Sequence, residues 1–311
     1  MAKAQVTPWI VAAALLISAG SRCLEASPLK VRVAAISLVP TKFELHGNAD
    51  RLEHAFRQAK LGGAEIAVAP EGILEGYVVN EIIAGEFPAD KMREVAVPID
   101  HPVIQRFQHL ARELEMSLVF GLAESIGDDV YNCAVFIDHE GVIRGKYHKM
   151  QFAEGYDDQW WFNRLGTASR AFDTPFGRAA ILICNDRWNP SLARIPVLDG
   201  ARFLLIPSMG SRGENQDEAV LSRGRENGVP IVEANVGVTL IVNDGKIVAV
   251  DRNMEGITYA DITIPPPAAS QEQERDRVEK EFLEWREAEM KLRLEKTIEK
   301  LQKKSADKTG S

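Results

Sequence analysis

Three reactive side chains in this chain each lie where an apolar segment gives way to polar residues. Cys184 follows the run Ala-Ala-Ile-Leu-Ile, Glu71 follows an alanine- and valine-rich run ending in proline, and Lys149 ends a short segment that begins at a turn glycine. An apolar run that stops abruptly at polar residues is typical of a buried strand. In an open α/β sheet, ligands bind at the carboxyl ends of the strands. Each side chain is therefore expected at the edge of a sheet where ligands bind.

The three residue types together suit nucleophilic catalysis. A thiol attacks as its thiolate, so it needs a base or a nearby positive charge. Glu71 can take the proton of Cys184 and later activate water, and Lys149 can stabilise the anionic oxygen of a tetrahedral intermediate. Each residue also has an ordinary interpretation, since free cysteines are commonly buried and charged residues often end strands in solvent. Their joint occurrence favours the catalytic interpretation.

Five segments, in order, resemble the nitrilase superfamily of carbon–nitrogen hydrolases, which uses a Glu-Lys-Cys triad. The glutamate segment reads Pro-Glu-Gly-Ile-Leu-Glu-Gly-Tyr, and the nucleophile segment reads Ile-Cys-Asn-Asp-Arg. The resemblance extends over about residues 31–264. The matching segments are residues 70–77, residues 121–124 with 131–134, residues 141–149, residues 183–187, and residues 225–237.

The resemblance implies a fold and a mechanism. The fold is of the α/β class, a four-layer α-β-β-α sandwich of the nitrilase type that usually dimerises through helices. Cys184 would attack an amide, carbamoyl or nitrile carbon, Glu71 would act as general base and acid, and Lys149 would steady the oxyanion. The backbone N–H of Asn185, which follows the nucleophile, is expected to be a second oxyanion donor.

Many members of this superfamily carry a second glutamate after the lysine, and its position in this chain is ambiguous. Counting back from a downstream glycine places it at Gln159, whereas counting forward places it near Asp157. Glu154 is also available. We expect Asp157 to take this role, with Glu154 and Gln159 as alternatives. All three also fit a loop that covers the site.

The substrate class depends on Arg187 and on an aromatic cluster. The segment Cys-Asn-Asp-Arg resembles the nucleophile segment of N-carbamoyl-D-amino-acid amidohydrolases, where an arginine grips a substrate carboxylate. A guanidinium offers a fixed bidentate fork for that purpose. The alternative is a structural pairing of Arg187 with Asp186 or with a helix terminus. Trp160, Trp161 and Phe162 form either a wall of the substrate site or part of the core.

Composition is that of a globular enzyme. The 311 residues are 45% hydrophobic and carry a formal net charge of −8. This charge argues against a nucleic-acid surface. The sequence has no glycine-rich phosphate loop and no Cys/His pair at zinc spacing. We therefore predict no cofactor, no metal and no nucleic-acid partner, and a small-molecule substrate.

The N-terminal residues 1–27 have the pattern of a secretory signal peptide, with a lysine near the start, an apolar stretch and then small residues. The apolar stretch is too short for a confident transmembrane span. The sequence therefore predicts an exported protein, periplasmic or extracellular. An uncleaved N-terminal anchor is the alternative.

The remaining chain predicts one hydrolase domain and a C-terminal extension. Strands alternate with helices at residues 48–61 and 102–114, and the last strand is expected at residues 246–250. Three prolines at positions 265–267 mark the end of the predicted hydrolase domain, residues 28–264. Residues 265–311 predict a long charged helix with apolar side chains at near-helical spacing. Packing on a homodimer is preferred for this helix over packing on its own domain or forming a coiled coil.

Three functions follow from these patterns. The first is hydrolysis of a small amide or N-carbamoyl compound through a cysteine thioester. The second is a nitrilase that converts a nitrile to an acid and ammonia. The third is a non-catalytic exported scaffold that recruits partners through its C-terminal helix. The intact set of Glu71, Lys149 and Cys184 favours the first.

Overall fold

The computed structural model describes residue 1 and residues 27–309, with side chains as far as Leu301. The predicted signal peptide therefore lies almost entirely outside the described residues. Among the helices of the described part, none is long and apolar enough to cross a membrane.

Two six-stranded sheets form the centre of the molecule. The first has the strand order β12-β1-β2-β3-β4-β5, and the second has the order β11-β10-β9-β8-β7-β6. The strands of the first sheet are β1 Leu29–Ser37, β2 Ile66–Val68, β3 Ser117–Ile126, β4 Asp129–Ile137, β5 Ile143–His148 and β12 Gly256–Ile264. Those of the second are β6 Phe172–Thr174, β7 Gly177–Ile181, β8 Phe203–Ser208, β9 Ile231–Asn235, β10 Val238–Asn243 and β11 Lys246–Asp251.

The two sheets pack face to face through an apolar core. Side chains that alternate along β1 point to opposite faces, as the pleat requires. Val33 of β1 belongs to the buried cluster that also contains Ile181 and Leu205 of the second sheet. Ala34 of β1 belongs instead to a cluster shared with Phe56 and with other residues of the outer helices. From Val33 onward the strand is therefore buried on both faces, which explains its continuous apolar run from Val33 to Ile36.

Helices cover the outer face of each sheet. The helices are α1 Leu45–Leu61, α2 Val79–Ile83, α3 Pro102–Leu114, α4 Pro190–Leu198, α5 Glu214–Asn227 and α6 Glu272–Thr309. Phe56 of α1 and Phe107 of α3 are fully buried against the first sheet. Leu192 of α4 and Val220 of α5 are buried against the second. This arrangement confirms the predicted four-layer α-β-β-α sandwich.

The predicted elements agree with the structure at most positions, but the structure adds the helices α4 and α5 and, at the C-terminal end of the domain, a further strand. The sequence placed the last strand at residues 246–250, whereas the structure adds β12 after it. This strand pairs antiparallel with β1 along its whole length, from Leu29 opposite Ile264 to Ser37 opposite Gly256. A non-local pairing of this kind brings the end of the domain back to its first strand.

The C-terminal extension forms the predicted long helix, and the described part of that helix packs on its own chain. Phe282 and Met290 of α6 are buried. Arg275 donates a hydrogen bond of 2.5 Å to Asp199, and Arg170 forms an ion pair of 2.5 Å with Glu279. The helix thus packs on its own domain, which was one of the alternatives to packing on a homodimer. Packing across a dimer stays a prediction.

Candidate active site

The ends of strands β2 and β5 bring Glu71 and Lys149 into direct contact. Lys149 Nζ lies 2.6 Å from Glu71 Oε1, and neither side chain is exposed to solvent. A buried ion pair is stable only when its remaining polar atoms are also hydrogen-bonded. Because both side chains are buried, the alternative that they are charged residues ending strands in solvent is wrong.

Two further donors fix the carboxylate of Glu71. Asn132 Nδ2 of β4 donates to Oε1 at 2.7 Å, and the backbone N–H of Met209, after β8, donates to Oε2 at 3.0 Å. With Lys149, these donors occupy both carboxylate oxygens and hold their orientation. Asn132 lies in one of the segments on which the resemblance rests, but no role was predicted for it. The N–H of Met209 belongs to the backbone, which every residue except proline offers, so the residue type at position 209 does not predict this contact.

The ammonium group of Lys149 stays charged despite its burial. Burial by itself lowers the pKa of Lys149, but the carboxylate of Glu71 and the weaker influence of Cys184 and Glu154 raise it above its usual value. The charge also lies about equally far from two aromatic rings, 6.0 Å from that of Tyr77 and 5.9 Å from that of Phe152. Lys149 can therefore stabilise a nearby negative charge without first gaining a proton.

Cys184 begins a short 3-10 helix, Cys184–Trp188, three residues after the end of strand β7. Its backbone adopts a left-handed conformation, with φ of +44°, which is costly for a residue other than glycine. The carboxylate of Asp186 supports this turn, because it accepts hydrogen bonds from the backbone N–H of Ile183 at 2.9 Å and from the Tyr147 hydroxyl at 2.8 Å. Burial raises the pKa of Asp186 to about 7. The strained turn aims the thiol away from the strand.

The thiol of Cys184 is protonated at neutral pH. Burial raises its pKa to about 11, and the carboxylate of Glu71 adds to the rise, whereas the charges of Arg187 and Lys149 lower it. The backbone of Met209 links the thiol to Glu71, since its carbonyl accepts from Cys184 Sγ at 3.5 Å while its N–H donates to Glu71. A base close to the thiol can therefore generate the thiolate when an electrophile is bound.

A cavity of about 310 Å³ opens in front of Cys184. The loop after β8 provides part of its wall, and Gly210 in this loop lies close to the thiol. A Cβ atom at Gly210 would stand 3.4 Å from Cys184 Sγ. The lining residues are Tyr77, Asn80, Ala153, Glu154, Cys184, Asn185, Arg187, Trp188, Met209, Gly210 and Ser211.

The acidic residue that faces this cavity is Glu154 and not Asp157. Glu154 is 8% exposed and accepts a hydrogen bond of 3.0 Å from Asn163. Asp157 is absent from the lining of the cavity, and its carboxylate accepts from the backbone N–H of Gln159 at 2.9 Å. Gln159 is exposed. The preference for Asp157 is thus corrected by the structure, because a local turn occupies that carboxylate outside the pocket.

Arg187 lines the cavity but is largely committed to an internal ion pair. Its Nη1 lies 2.9 Å from Glu233 Oε1 and also donates to the Ser208 hydroxyl at 2.9 Å. The side chain is 1% exposed, and Glu233 balances its charge. This geometry agrees with the structural alternative, although the ion-pair partner is Glu233 of β9. The Nε–H of Arg187 has no hydrogen-bond partner among the described residues.

A model of the carbon–nitrogen hydrolase family matches residues 32–265 of this chain. The chain belongs to the carbon–nitrogen hydrolase family. Membership makes it a hydrolase and agrees with the resemblance to the nitrilase superfamily. The match covers both sheets and ends before α6.

Several relatives of this hydrolase act on N-carbamoyl or related compounds according to their names. An N-carbamoylputrescine amidase from Oryza sativa subsp. japonica is 32% identical over 220 residues, which cover 68% of this chain and 68% of the relative. A citrullinase from Francisella tularensis is 30% identical over 183 residues, which cover 58% of this chain and 61% of the relative. The crystal structure of an amidase from Nesterenkonia sp. has a TM-score of 0.63 at 20% identity and covers 76% of this chain and 91% of its own. At 20% identity, this structural similarity supports the fold alone.

The aromatic cluster of this hydrolase is mainly a packing unit. Trp160 packs beside Phe162 with ring centroids 5.3 Å apart, and the guanidinium of Arg93 lies 4.0 Å above the ring of Trp161. None of the three aromatic residues at 160–162 lines the cavity. Trp188, which is 39% exposed, lines it instead. The core interpretation of the cluster agrees with this placement.

One cluster of metal-ligand types occurs among the described residues of the hydrolase. Ligand atoms of Glu124, Cys133 and His148 lie within 4.8 Å of one another. However, Lys146 Nζ lies 2.6 Å from Glu124 Oε1, and His148 Nε2 lies 2.5 Å from Oε2. Both carboxylate oxygens therefore have partners, and the ammonium group opposes a second cation. The cluster is better described as a charged hydrogen-bond network.

Proposed function

We propose that this protein hydrolyses the C–N bond of a small amide or N-carbamoyl compound through a thioester on Cys184. One observation carries the proposal: the Glu71–Lys149 ion pair is tied through Met209 to the thiol that faces the cavity. Membership of the hydrolase family supports it independently. The assignment of the three catalytic roles is part of the proposal.

Acylation begins when Glu71 takes the proton of the Cys184 thiol. The sulfur attacks the substrate carbonyl carbon and forms a tetrahedral intermediate whose oxygen is negative. Lys149 and the backbone N–H of Asn185 stabilise this oxygen. When the C–N bond breaks, Glu71 returns the proton to the leaving nitrogen, and ammonia or an amine departs. A thioester remains on Cys184.

Deacylation uses the same carboxylate. Glu71 takes a proton from water, and the resulting hydroxide attacks the thioester carbon. Lys149 again stabilises the oxyanion, and collapse of the intermediate breaks the C–S bond. The proton on Glu71 returns to the sulfur, and the acid product leaves. An N-carbamoyl substrate would release a carbamate at this stage, which decomposes to carbon dioxide and ammonia or an amine.

Glu154 is proposed to support Lys149 and to contact the substrate. Burial raises the pKa of Glu154, and the positive charge of Lys149 opposes this rise. Its presence in the lining of the cavity supports a contact with a bound substrate. A group that raises the pKa of Lys149 keeps the oxyanion-stabilising charge in place.

The charges of the cavity favour a substrate without a carboxylate. Among the residues that line it, Arg187 is the cation, and Glu233 already neutralises this charge. Glu154 is acidic and has an amide partner, Asn163, but no ion pair of its own among the described residues. We therefore propose a neutral or amine-bearing substrate, in line with the amine named in N-carbamoylputrescine amidase.

The test is ammonia release from purified protein over a panel of simple aliphatic amides, N-carbamoylputrescine, N-carbamoyl amino acids and nitriles. Cys184→Ala is the control, because it removes the proposed nucleophile. Release from amides or N-carbamoylputrescine that disappears in the variant is the expected result. Release confined to nitriles would replace the proposal by a nitrilase. Equal release by the variant would rule out the thioester, and no release from any compound would favour the scaffold alternative.

Export and self-association are separate proposals. Residues 1–27 carry the signal-peptide pattern on which export depends. Detection of the full-length chain only in the cytosolic fraction of an expressing bacterial cell would contradict export. A homo-oligomer is expected from the resemblance, and sedimentation of the purified protein as a monomer would contradict it.

A further inference from the structure

One wall of the cavity comes from an irregular segment, residues 150–166, between strands β5 and β6. We call it the wall segment. It directly follows Lys149 and contains Ala153 and Glu154, both of which line the cavity. A segment without a strand ladder needs other partners for its backbone groups. The C-terminal helix α6 supplies several of them.

Two arginines of α6 hold carbonyl groups of the wall segment. Arg286 Nη1 donates to the carbonyl of Gly166 at 2.6 Å and to that of Met150 at 3.4 Å. Arg293 Nη1 donates to the carbonyl of Phe152 at 3.1 Å. The contacts thus include both ends of the segment and a residue two positions before Glu154.

Backbone groups of the helix and the segment also meet directly. The N–H of Tyr156 donates to the carbonyl of Met290 at 3.2 Å. Gly155, with φ of +88°, lies so close to α6 that a Cβ atom there would stand 2.6 Å from Leu294 Cα and 2.7 Å from the carbonyl oxygen of Met290. Only glycine fits both the conformation and the space. The helix backbone is therefore packed against the residue next to Glu154.

We propose that α6 is a positioning element of the active site, which holds Glu154 in the cavity wall through Arg293, Arg286 and the close contact at Gly155. The catalytic meaning of this position rests on the proposed function. Arg293 and Arg286 do not line the cavity, so they act through the wall segment and are positioning residues.

The helix has a separate anchor, which lets the positioning contacts be tested alone. Phe282 is 2% exposed within the core, Arg170 pairs with Glu279, and Arg275 pairs with Asp199. These contacts lie about three to five turns before Arg293. Loss of the Arg293 side chain is therefore expected to leave α6 docked.

The experiment compares Arg293→Met with Arg277→Met in the full-length protein. Arg277 lies on the same helix, but its hydrogen bonds go to Glu274 and Glu281 of the helix itself. We expect Arg293→Met to lower kcat about tenfold with little change in KM, since small displacements of catalytic groups mainly affect the transition state. Arg277→Met should retain the wild-type kcat, and Arg293→Lys should recover most of the loss.

A double-variant cycle separates positioning from a general loss of stability. If Arg293 acts through Glu154, Arg293→Met should change kcat less than about twofold in a Glu154→Gln background. A full tenfold loss in that background would overturn the inference, as would equal kcat values for Arg293→Met and Arg277→Met. Gly155→Ala, if it folds, should lose more activity than either arginine variant.

A readout that needs no turnover distinguishes this inference from the proposed function. The rate at which iodoacetamide labels Cys184 reports access past the wall segment. If the wild type hydrolyses nothing in the substrate panel, the proposed function fails, but labelling at least about threefold faster in Arg293→Met than in Arg277→Met would still support the positioning role. Equal labelling rates in an inactive protein would overturn it.

Discussion

The described residues of this protein include two groups of a glutamate, a lysine and a cysteine, and one of the two borders the cavity. The first is Glu71, Lys149 and Cys184. The second is Glu124, Lys146 and Cys133, in which Lys146 Nζ also lies 2.6 Å from its carboxylate. Both cysteines are free and buried, and burial raises the pKa of both thiols. Residue types and ion-pair distances alone do not tell the two groups apart.

The backbone and the surroundings of each cysteine make the difference. Cys133 lies within β4, where its partner across the sheet is His148, and its side chain is fully buried. Cys184 lies in a left-handed turn after a strand and faces the cavity. The charges differ as well: the Glu71–Lys149 pair is wholly buried, whereas the side chain of Lys146 is 34% exposed. A reactive site therefore requires an opening and a turn that presents the thiol, in addition to the three residue types.

The largest difference between the two groups is expected in the loss of stability and of kcat when the lysine of each group is replaced. Lys149→Met leaves Glu71 buried without its cation, which costs about 3–5 kcal/mol of stability, and it removes an oxyanion donor, which lowers kcat by about 10²–10³. Lys146→Met leaves Glu124 with His148 and removes a partly exposed pair, so its effect on stability is about 1 kcal/mol or less.

Ammonia release and urea denaturation of both variants measure this contrast. Lys146→Met is the matched control because Lys146 lies three residues before Lys149, within strand β5, which Lys149 directly follows. A Lys149→Met protein that keeps wild-type kcat would contradict the role of Lys149. Equal losses in both variants would show that the two groups are not functionally distinct.

The sequence was sufficient to predict the first group because each of its members follows the carboxyl end of a strand by one to three residues. Apolar runs that stop at polar residues mark the carboxyl ends of strands, and strand topology then brings Glu71, Lys149 and Cys184 together. The same rule does not select Glu124, which lies within a strand. The left-handed backbone of Cys184 leaves no mark in the sequence, because any residue type can be held there by its surroundings.

The wall segment was beyond prediction for a different reason. Its residues have no period of 2 or 3.6, so nothing local decides which acid faces the cavity. The segment is contacted by α6, which lies 120–141 residues further along the chain, and the choice of Glu154 over Asp157 is proposed to depend on these contacts. Similarly, the N–H of Met209 reaches Glu71 across 138 residues and carries no side-chain signal. Non-local backbone contacts of this kind are not encoded in short patterns.

A difference of intermediate size is expected in the rates at which iodoacetamide alkylates the two thiols when Glu71 is replaced by glutamine. The carboxylate of Glu71 raises the pKa of Cys184, so Glu71→Gln should lower that pKa and increase the thiolate fraction at neutral pH. A fall of about one unit would make iodoacetamide label Cys184 about tenfold faster at pH 8, although turnover is lost with the base. Cys133, which is fully buried and does not line the cavity, should label slowly in both proteins.

Mass spectrometry of the two cysteine peptides over pH 7–10 checks this prediction. The labelling profile of Cys184 should shift to lower pH in Glu71→Gln, while that of Cys133 serves as the internal reference. An unchanged or higher apparent pKa of Cys184 would mean that Glu71 does not act on the thiol. Equal acceleration at both cysteines would instead indicate general loosening of the core.

The smallest expected effect is the difference in stability between the glycine and the alanine variant of each cysteine, and it has opposite signs at the two positions. At position 184, with φ of +44°, alanine is strained, so Cys184→Gly should be more stable than Cys184→Ala by about 1 kcal/mol. At position 133, within β4, glycine loses more chain entropy, so Cys133→Gly should be less stable than Cys133→Ala by about 1 kcal/mol. Urea denaturation of the four variants measures both differences, and each alanine variant is the reference for its own site. The same sign at both positions would show that the turn at Cys184 relaxes when its thiol is removed, and the strain would then depend on the thiol contacts and not on the backbone around it.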